Sequence, residues 1–356
     1  MEVNKCLYII VQKQISIYIS DNKSYTEGEI TEKLRAESKQ EKADAIRDTV
    51  ASTIEKYRMF SKDKPVPIGY SGGKDSATLI FVLDKLGYEV RPVIVERGYD
   101  PRFAGNKIAE TLYSRTKIKA DVIKLRGPAF YKTISLEASK IIHENLLRVD
   151  NIKEGETLCT PCYNARTTAM VEYAKNVGAQ SFAIGQHKTD MITSLMKSYW
   201  TEKYYYTFTK TEGVPYDGIK MKEFIQESQI DLDYLHEMVE NGRAATDDPP
   251  IEIIGDMKLV RPLEAVSERE TKAYANDYPH ESDNCSYREK EPRPFRLLVQ
   301  FDLAKRIERN PNLETILYKF VLRGLNDDGT LKFRPRNSRE SLYPGFKSFI
   351  RKVGSV

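Results

Sequence analysis

Ser71-Gly72-Gly73-Lys74-Asp75-Ser76 stands between the apolar stretches Val66-Pro67-Ile68-Gly69-Tyr70 and Ala77-Thr78-Leu79-Ile80-Phe81-Val82-Leu83. A short apolar run, two adjacent glycines and a second apolar run read as a strand, a tight turn and a helix start. Backbone N–H groups at such a helix start point outward and favour an anion. Ser71 and Ser76 add hydroxyl donors, Lys74 a positive charge and Asp75 a ligand for magnesium. A nucleotide pyrophosphate satisfies each feature. Helix capping alone accounts for one side chain, but not for the glycine pair, the lysine and the acid together. The spacing is not the Gly-x-x-x-x-Gly-Lys-Ser/Thr of a Walker-type loop.

The same pattern recurs downstream and sets the fold class. Strands are predicted at 66–70, 90–95, 122–125 and 181–185, and helices at 75–86, 103–116, 129–148, 163–177 and 189–199. Alternating βα units imply an α/β fold, a parallel sheet with helices on both faces. Ligands of such folds lie beyond the carboxyl ends of the strands, where the glycine turn sits. The alternation stops at 201–250, for which one helix from Met221 to Val239 is predicted. Strands return at 251–254 and 258–260, followed by helices at 268–276, 295–309 and 313–323. Ahead of the core, 7–19 reads as strand and 24–60 as helix, with Ile46, Val50, Ile54 and Tyr57 on one face. The resulting division is an N-terminal extension (1–62), a core (63–290) with an insertion at 201–250, and a basic, mainly helical C-terminal extension (291–356).

The chain has 356 residues, enough for a full α/β core and appendages. No run approaches the ~18 apolar residues of a membrane span and no signal-peptide pattern opens the chain, so a cytoplasmic protein without membrane contact is expected. Net charge is +4, but from Ser286 onward 16 Lys/Arg face 8 Asp/Glu, a net of +8, which leaves −4 for the preceding residues. A basic tail on a near-neutral body fits a polyanionic partner such as nucleic acid, and equally a solvated helical face.

Of the four cysteines, Cys159-Thr160-Pro161-Cys162 precedes the helix predicted from Tyr163, and Cys285 follows far along the chain. Cytosolic cysteines at Cys-x-x-Cys spacing bind metal or do redox chemistry more often than they form structural disulfides. Three readings stand. Cys159, Cys162 and Cys285 hold a [4Fe–4S] cluster with one iron open; or Cys159 and Cys162 form a redox pair, with or without Cys285 as sulfur carrier; or they bind structural zinc, with His280 or Cys6 as the fourth ligand, or no metal. Cys6 otherwise reads as a small buried hydrophobe. A further segment, Ile184-Gly185-Gln186-His187-Lys188-Thr189-Asp190, again joins a strand end to a helix. It sets His187 and Asp190 at the sheet edge of the glycine turn, as phosphate and magnesium or ribose contacts, or as helix caps.

The Ser71–Ser76 turn resembles the PP-loop of the ATP pyrophosphatase superfamily. With Cys159–Cys162, Ile184–Asp190, Val260-Arg261-Pro262-Leu263, Glu268-Arg269-Glu270 and Cys285 in that order, the chain resembles the tRNA 2-thiocytidine synthetases over about half its length. The resemblance implies an adenine-nucleotide α-hydrolase-like fold and an ATP-dependent sulfurtransferase. ATP would sit on Ser71, Gly72, Gly73, Lys74, Asp75, Ser76, Gly185 and His187, with Mg2+ on Asp75. A pyrimidine carbonyl would be adenylated with release of pyrophosphate. Sulfur from a cluster on Cys159, Cys162 and Cys285 would then displace AMP, with Lys74, Asp75 and Asp190 also in the catalytic set. It also implies tRNA and a sulfur donor, free sulfide or a persulfide carrier, as partners; a homodimer is compatible. Where this chain has Gly185-Gln186-His187-Lys188-Thr189-Asp190, the family usually reads Gly-His-His-Arg-Asp-Asp. One His and one Asp are therefore replaced, and the chemistry transfers better than the target.

Trp200, Tyr204, Tyr205 and Tyr206 read either as platforms for an extruded base or as core packing. Thiolation of DNA or a small molecule, an adenylating ligase with a structural metal, and a nucleotide-sensing or RNA-binding module that kept the fold are the alternative functions.

Overall fold

The computed structural model describes residues 27–97, 105–125, 159–204, 207, 218–275 and 295–333. The strands expected at 7–19 and the helix at 129–148 lie outside them. The chain divides into two compact units, Met1–Asp48 and Thr49–Val356. The described part of the first is helical, supplied by α1 (Glu27–Tyr57), which ends in the second unit with Val50, Ile54 and Tyr57 buried.

The second unit is built on β1 (Val66–Gly69), α2 (Lys74–Lys85), β2 (Val90–Arg97), α3 (Gly105–Thr116), β3 (Asp121–Leu125), α4 (Cys159–Asn176), β4 (Ser181–Ile184) and α5 (Lys188–Tyr204). There follow α6 (Gly218–Glu227), α7 (Leu232–Glu240), β5 (Ile251–Ile254), β6 (Met257–Val260), α8 (Glu268–Ala275), α9 (Phe295–Arg309) and α10 (Asn312–Arg323). The six strands order as β3-β2-β1-β4-β6-β5. All neighbours are parallel except β5 and β6, an antiparallel hairpin turned at Gly255 (φ +65°).

Both sheet faces are covered, as the alternation predicts. Val93 and Val95 of β2 pack with Ala169, Met170 and Ala174 of α4. Ile94, pointing the other way along the same strand, meets the first turn of α3 at Gly105. The chain runs outward from β1 to β2 to β3 and then returns to the far side of β1 as β4. The junction of β1 and β4 is therefore the topological switch point, the place where α/β sheets open a crevice for ligands.

Two element boundaries differ from expectation for local reasons. Helix α4 begins at Cys159, not Tyr163, because Pro161 falls in the first turn, where its missing N–H has no intrahelical partner to lose. The single helix expected over 221–239 is two. Asp231 caps α7 by accepting from the Tyr234 N–H at 3.0 Å, while its own N–H donates to Tyr199 Oη at 3.1 Å, so the chain breaks there.

The insertion helices and the C-terminal helices share one apolar cluster. Trp200 and Tyr199 of α5, Leu235 and Met238 of α7, Leu303 of α9 and Leu317 of α10 all belong to it. Trp200 and Tyr204 are each 1% exposed. They are core residues, and the base-stacking reading fails for both; Tyr205 and Tyr206 lie outside the described residues. Trp200 stacks edge-on against Tyr199 and Phe224. Trp200→Ala is expected to lower the unfolding free energy by about 3–5 kcal/mol, measured by urea titration, because a large cavity opens among helices that cannot close on it.

Candidate active site

The turn after β1 and the turn after β4 face each other across the switch point. Gly72 takes φ +82°, a left-handed conformation that favours glycine, and so reverses the chain between β1 and α2. Gly73 then starts α2 with no side-chain cap, which leaves the helix N-terminus to whatever sits above it. The hydroxyls are turned inward instead. Ser71 Oγ accepts from the Gly73 N–H at 3.3 Å, and Ser76 Oγ donates to the Gly73 carbonyl at 3.0 Å. They brace the turn.

Gly185 is required by the closeness of the two turns. A Cβ built on it would stand 2.6 Å from the Ser76 backbone nitrogen and 2.7 Å from the Asp75 carbonyl carbon, inside any real contact distance. The turn after β4 is held from behind by β6 and the segment after it. His187 makes a parallel bridge to Leu263, and the Lys188 N–H donates to the Val266 carbonyl at 2.9 Å. Gln186, where the related family has histidine, accepts from Arg261 Nε at 2.5 Å. Arg261 is fully buried and also bonds the Pro249 carbonyl at 2.6 Å and Glu252 Oε2 at 2.8 Å. Gln186 is thereby engaged by the scaffold behind the turn.

The charged residues converge. Lys74 Nζ contacts both carboxylate oxygens of Asp75 at 2.9 Å and lies 3.4 Å from Glu268 Oε1. Burial works against its charge, but Asp75 and Glu268 more than offset this and hold the lysine above its usual pKa, so it is cationic at neutral pH. Asp75 Oδ1 also accepts from Thr271 Oγ1 at 2.7 Å and lies 3.7 Å from His187 Nε2. His187 is 2% exposed, and its Nδ1 sits 3.3 Å from Asp190 Oδ2 without hydrogen-bonding geometry, so that buried nitrogen has no hydrogen-bond partner. Asp190 Oδ2 instead accepts from the His187 backbone N–H at 3.1 Å. Asp190 thus caps the helix, and the His187 ring lies beside Asp75.

The structure thus brings together Ser71, Gly72, Gly73, Lys74, Asp75, Ser76, Gly185, His187 and Asp190. Sequence reasoning gave no role to Glu268 and Thr271 of α8, which complete the cluster. The signal available was Ser267-x-x-Glu270, a capping box: the Ser267 N–H and Oγ both donate to Glu270 Oε2, at 2.7 and 2.6 Å. It fixes where α8 starts, hence where Glu268 and Thr271 point.

Cys159 and Cys162 fall in the first turn of α4, three residues apart and so on one helix face. Because α4 runs back to feed β4, that turn lies at the carboxyl edge of the sheet, the edge of the glycine turn. Cys285 is outside the described residues, and among those described no three His, Cys, Asp or Glu side chains are gathered around a metal position. A magnesium ion fits the loop in another way, since Mg2+ keeps waters and phosphate oxygens and needs only one or two carboxylates such as Asp75.

With this geometry in place the relatives can be set beside it. The family model for Queuosine biosynthesis protein QueC matches residues 67–194, from β1 into α5. A tRNA-cytidine(32) 2-sulfurtransferase of Azoarcus sp. (strain BH72) is 32% identical over 151 residues, 41% of this chain. The core resembles the tRNA-cytidine 2-sulfurtransferases. A second such enzyme, from Psychromonas ingrahamii, is 27% identical over 158 residues, 43% of this chain. The chain spans less than half the length of these curated relatives, 44% and 45%. Among solved structures, the U34-tRNA thiolase NcsA from Methanococcus maripaludis with its [4Fe-4S] cluster covers 78% of either chain at 17% identity and TM-score 0.47. No described helix is long and apolar enough to cross a membrane.

Two substitutions test this geometry. Gly185→Ala forces the two turns apart and is expected to cost roughly 1–3 kcal/mol of stability, read by denaturant titration, and to weaken nucleotide binding. Glu264, just past the Arg-Pro-Leu segment, is 2% exposed; burial lifts its pKa above the usual carboxyl range against the Tyr318 hydroxyl, Lys56 and Lys188. A raised folded-state pKa means that the fold favours the protonated acid. That contribution is full below the unfolded value of about 4.3 and is lost as pH rises through the folded one. Glu264→Gln is expected to flatten this fall and to be the more stable protein at neutral pH, measured as urea midpoints from pH 4.5 to 8.

Proposed function

We propose that the chain is an ATP-dependent sulfurtransferase that adenylates a pyrimidine carbonyl in tRNA and replaces its oxygen with sulfur. The observation that carries this reading is the uncapped start of α2, with cationic Lys74 and Asp75 on it and Gly185 across from it, at the same sheet edge as the Cys159–Cys162 turn. The likeness to tRNA-cytidine 2-sulfurtransferases supports the substrate class.

In this reading the β and γ phosphates of ATP lie on the N–H groups of Gly73 to Ser76 and on Lys74, which exchanges Asp75 for phosphate. Asp75 holds Mg2+ together with phosphate oxygens. The base carbonyl oxygen attacks the α phosphorus, the bond to the β-phosphate oxygen breaks, and pyrophosphate leaves with its charge stabilised by Lys74 and the backbone donors. His187 and Asp190 flank the carboxylate that positions the ion. A [4Fe–4S] cluster would be held by Cys159, Cys162 and Cys285 and would supply a nucleophilic sulfide, replenished by free sulfide or by a persulfide carrier together with a two-electron reductant. Attack of sulfur at the activated carbon expels AMP. The basic stretch 291–356 is the extension assigned to the RNA backbone, the core 63–290 does the chemistry, and the protein acts in the cytoplasm, as a monomer or homodimer.

The test is anaerobic reconstitution with iron and sulfide, incubation with ATP and bulk tRNA, and nucleoside mass spectrometry alongside a pyrophosphate assay. The expected result is pyrophosphate release together with a nucleoside that exchanges oxygen for sulfur. Pyrophosphate without sulfur in any RNA nucleoside would overturn the tRNA assignment. Lys74→Ala is expected to slow pyrophosphate release by roughly 10²–10³-fold, the loss of one preorganised charge at the leaving group.

A further inference from the structure

We propose that α8 is a working part of the nucleotide site, with Thr271 as the positioning residue that keeps the Asp75 carboxylate aligned for a divalent cation once Lys74 has turned to phosphate. The inference rests on the ATP reading above and extends it to an element outside the glycine turn and outside the matched residues 67–194.

Lys74 Nζ spans both carboxylate oxygens of Asp75. The two charges that a polyphosphate and its cation would use are therefore spent on each other. Nucleotide entry has to separate them, and Asp75 then loses its strongest partner. Two groups remain close to Asp75 Oδ1: Thr271 Oγ1 at 2.7 Å and the His187 ring at 3.7 Å. Only the first is at hydrogen-bond distance.

The Thr271 hydroxyl is also the better fixed of the two. Thr271 is fully buried, and its N–H donates to the Ser267 carbonyl at 3.1 Å within a helix start locked by the capping box. A β-branched side chain in a helix has few rotamers, so the oxygen is held by the backbone. A hydroxyl carries one proton. It has a choice between Asp75 at 2.7 Å and the Glu268 carbonyl at 3.1 Å, and the shorter, charged acceptor takes it. Magnesium demands near-ideal octahedral geometry, so a carboxylate free to swing would bind it poorly.

Glu268 does the complementary job at Lys74, its Oε1 3.4 Å from the ammonium. It steadies the ammonium and sets a negative charge beside the anion position. Glu268 thereby favours cation-neutralised nucleotide over bare nucleotide.

The experiment is calorimetric titration of the full chain with ATP, once with Mg2+ and once with EDTA. Wild type is expected to bind Mg2+-ATP more tightly than bare ATP. Thr271→Val, which keeps shape but loses the hydroxyl, is expected to weaken Mg2+-ATP binding roughly tenfold or more, the scale of a hydrogen bond to a charged group, with bare ATP unchanged. Thr271→Ser is expected to restore the wild-type difference. Glu268→Gln is expected to tighten bare ATP by about two- to fivefold, as removal of one partly exposed charge should. The inference is overturned if Thr271→Val weakens both forms equally or neither, or if Thr271→Ser behaves like Thr271→Val. A wild type that binds no ATP at all overturns the nucleotide reading itself, and this inference with it.

Discussion

The turn after β1 and the turn after β4 touch backbone to backbone at Gly185 and Ser76, with no room for a side chain between them. Much of the site follows from that approach. It sets His187 beside Asp75 and brings the two turns together at the switch point. Parallel pairing of β1 with β4, Ile68 to Ala183 and Gly69 to Ile184, delivers both turns to the same level. The sheet register and the missing Cβ act together: a side chain would separate the turns, and a slipped register would offset them.

Behind this junction stands a layer of buried polar groups. Arg261 joins the turn after β4 to Pro249 and Glu252 of the final hairpin. A buried guanidinium is costly unless its donors are satisfied, and here three separate acceptors satisfy it at once. The turn after β4 is also tied toward α10 through the hydrogen bond from Thr189 Oγ1 to Glu314 Oε1, while the Glu268 N–H donates to Thr189 Oγ1. One threonine therefore joins the turn, the helix bearing Thr271, and the C-terminal helices that pack on Trp200.

The β1–turn–α2 unit was legible in the sequence because its information is local: apolar runs on either side of a glycine pair, with the acid and lysine between. The alternation that predicted the parallel sheet is local too, repeated along the chain. What was misread depended on competition. Pro161 reads as a helix breaker unless it sits in the first turn, and Asp231 reads as an ordinary surface acid unless its side chain outbids the helix for the Tyr234 N–H. Trp200 carries no mark that distinguishes a stacking platform from a core ring, and only its neighbours on α6, α7 and α9 decide. The partnership of Asp75 with Thr271 was illegible, because no periodicity links positions in separate elements. The capping box at Ser267 gave the start of the helix and nothing of what it would meet.

That hydrogen bond joins residues 196 positions apart. Closing such a separation is entropically slow and rewards the chain only after everything between has condensed. The turn at Ser71–Ser76 is made before β6 and α8, and its helix forms from neighbouring residues, but its acid is not seated until those later elements have been made and docked. A growing chain therefore carries an unfinished turn until α8 has docked, and the Asp75 carboxylate takes its place only once β6 and α8 have joined the fold.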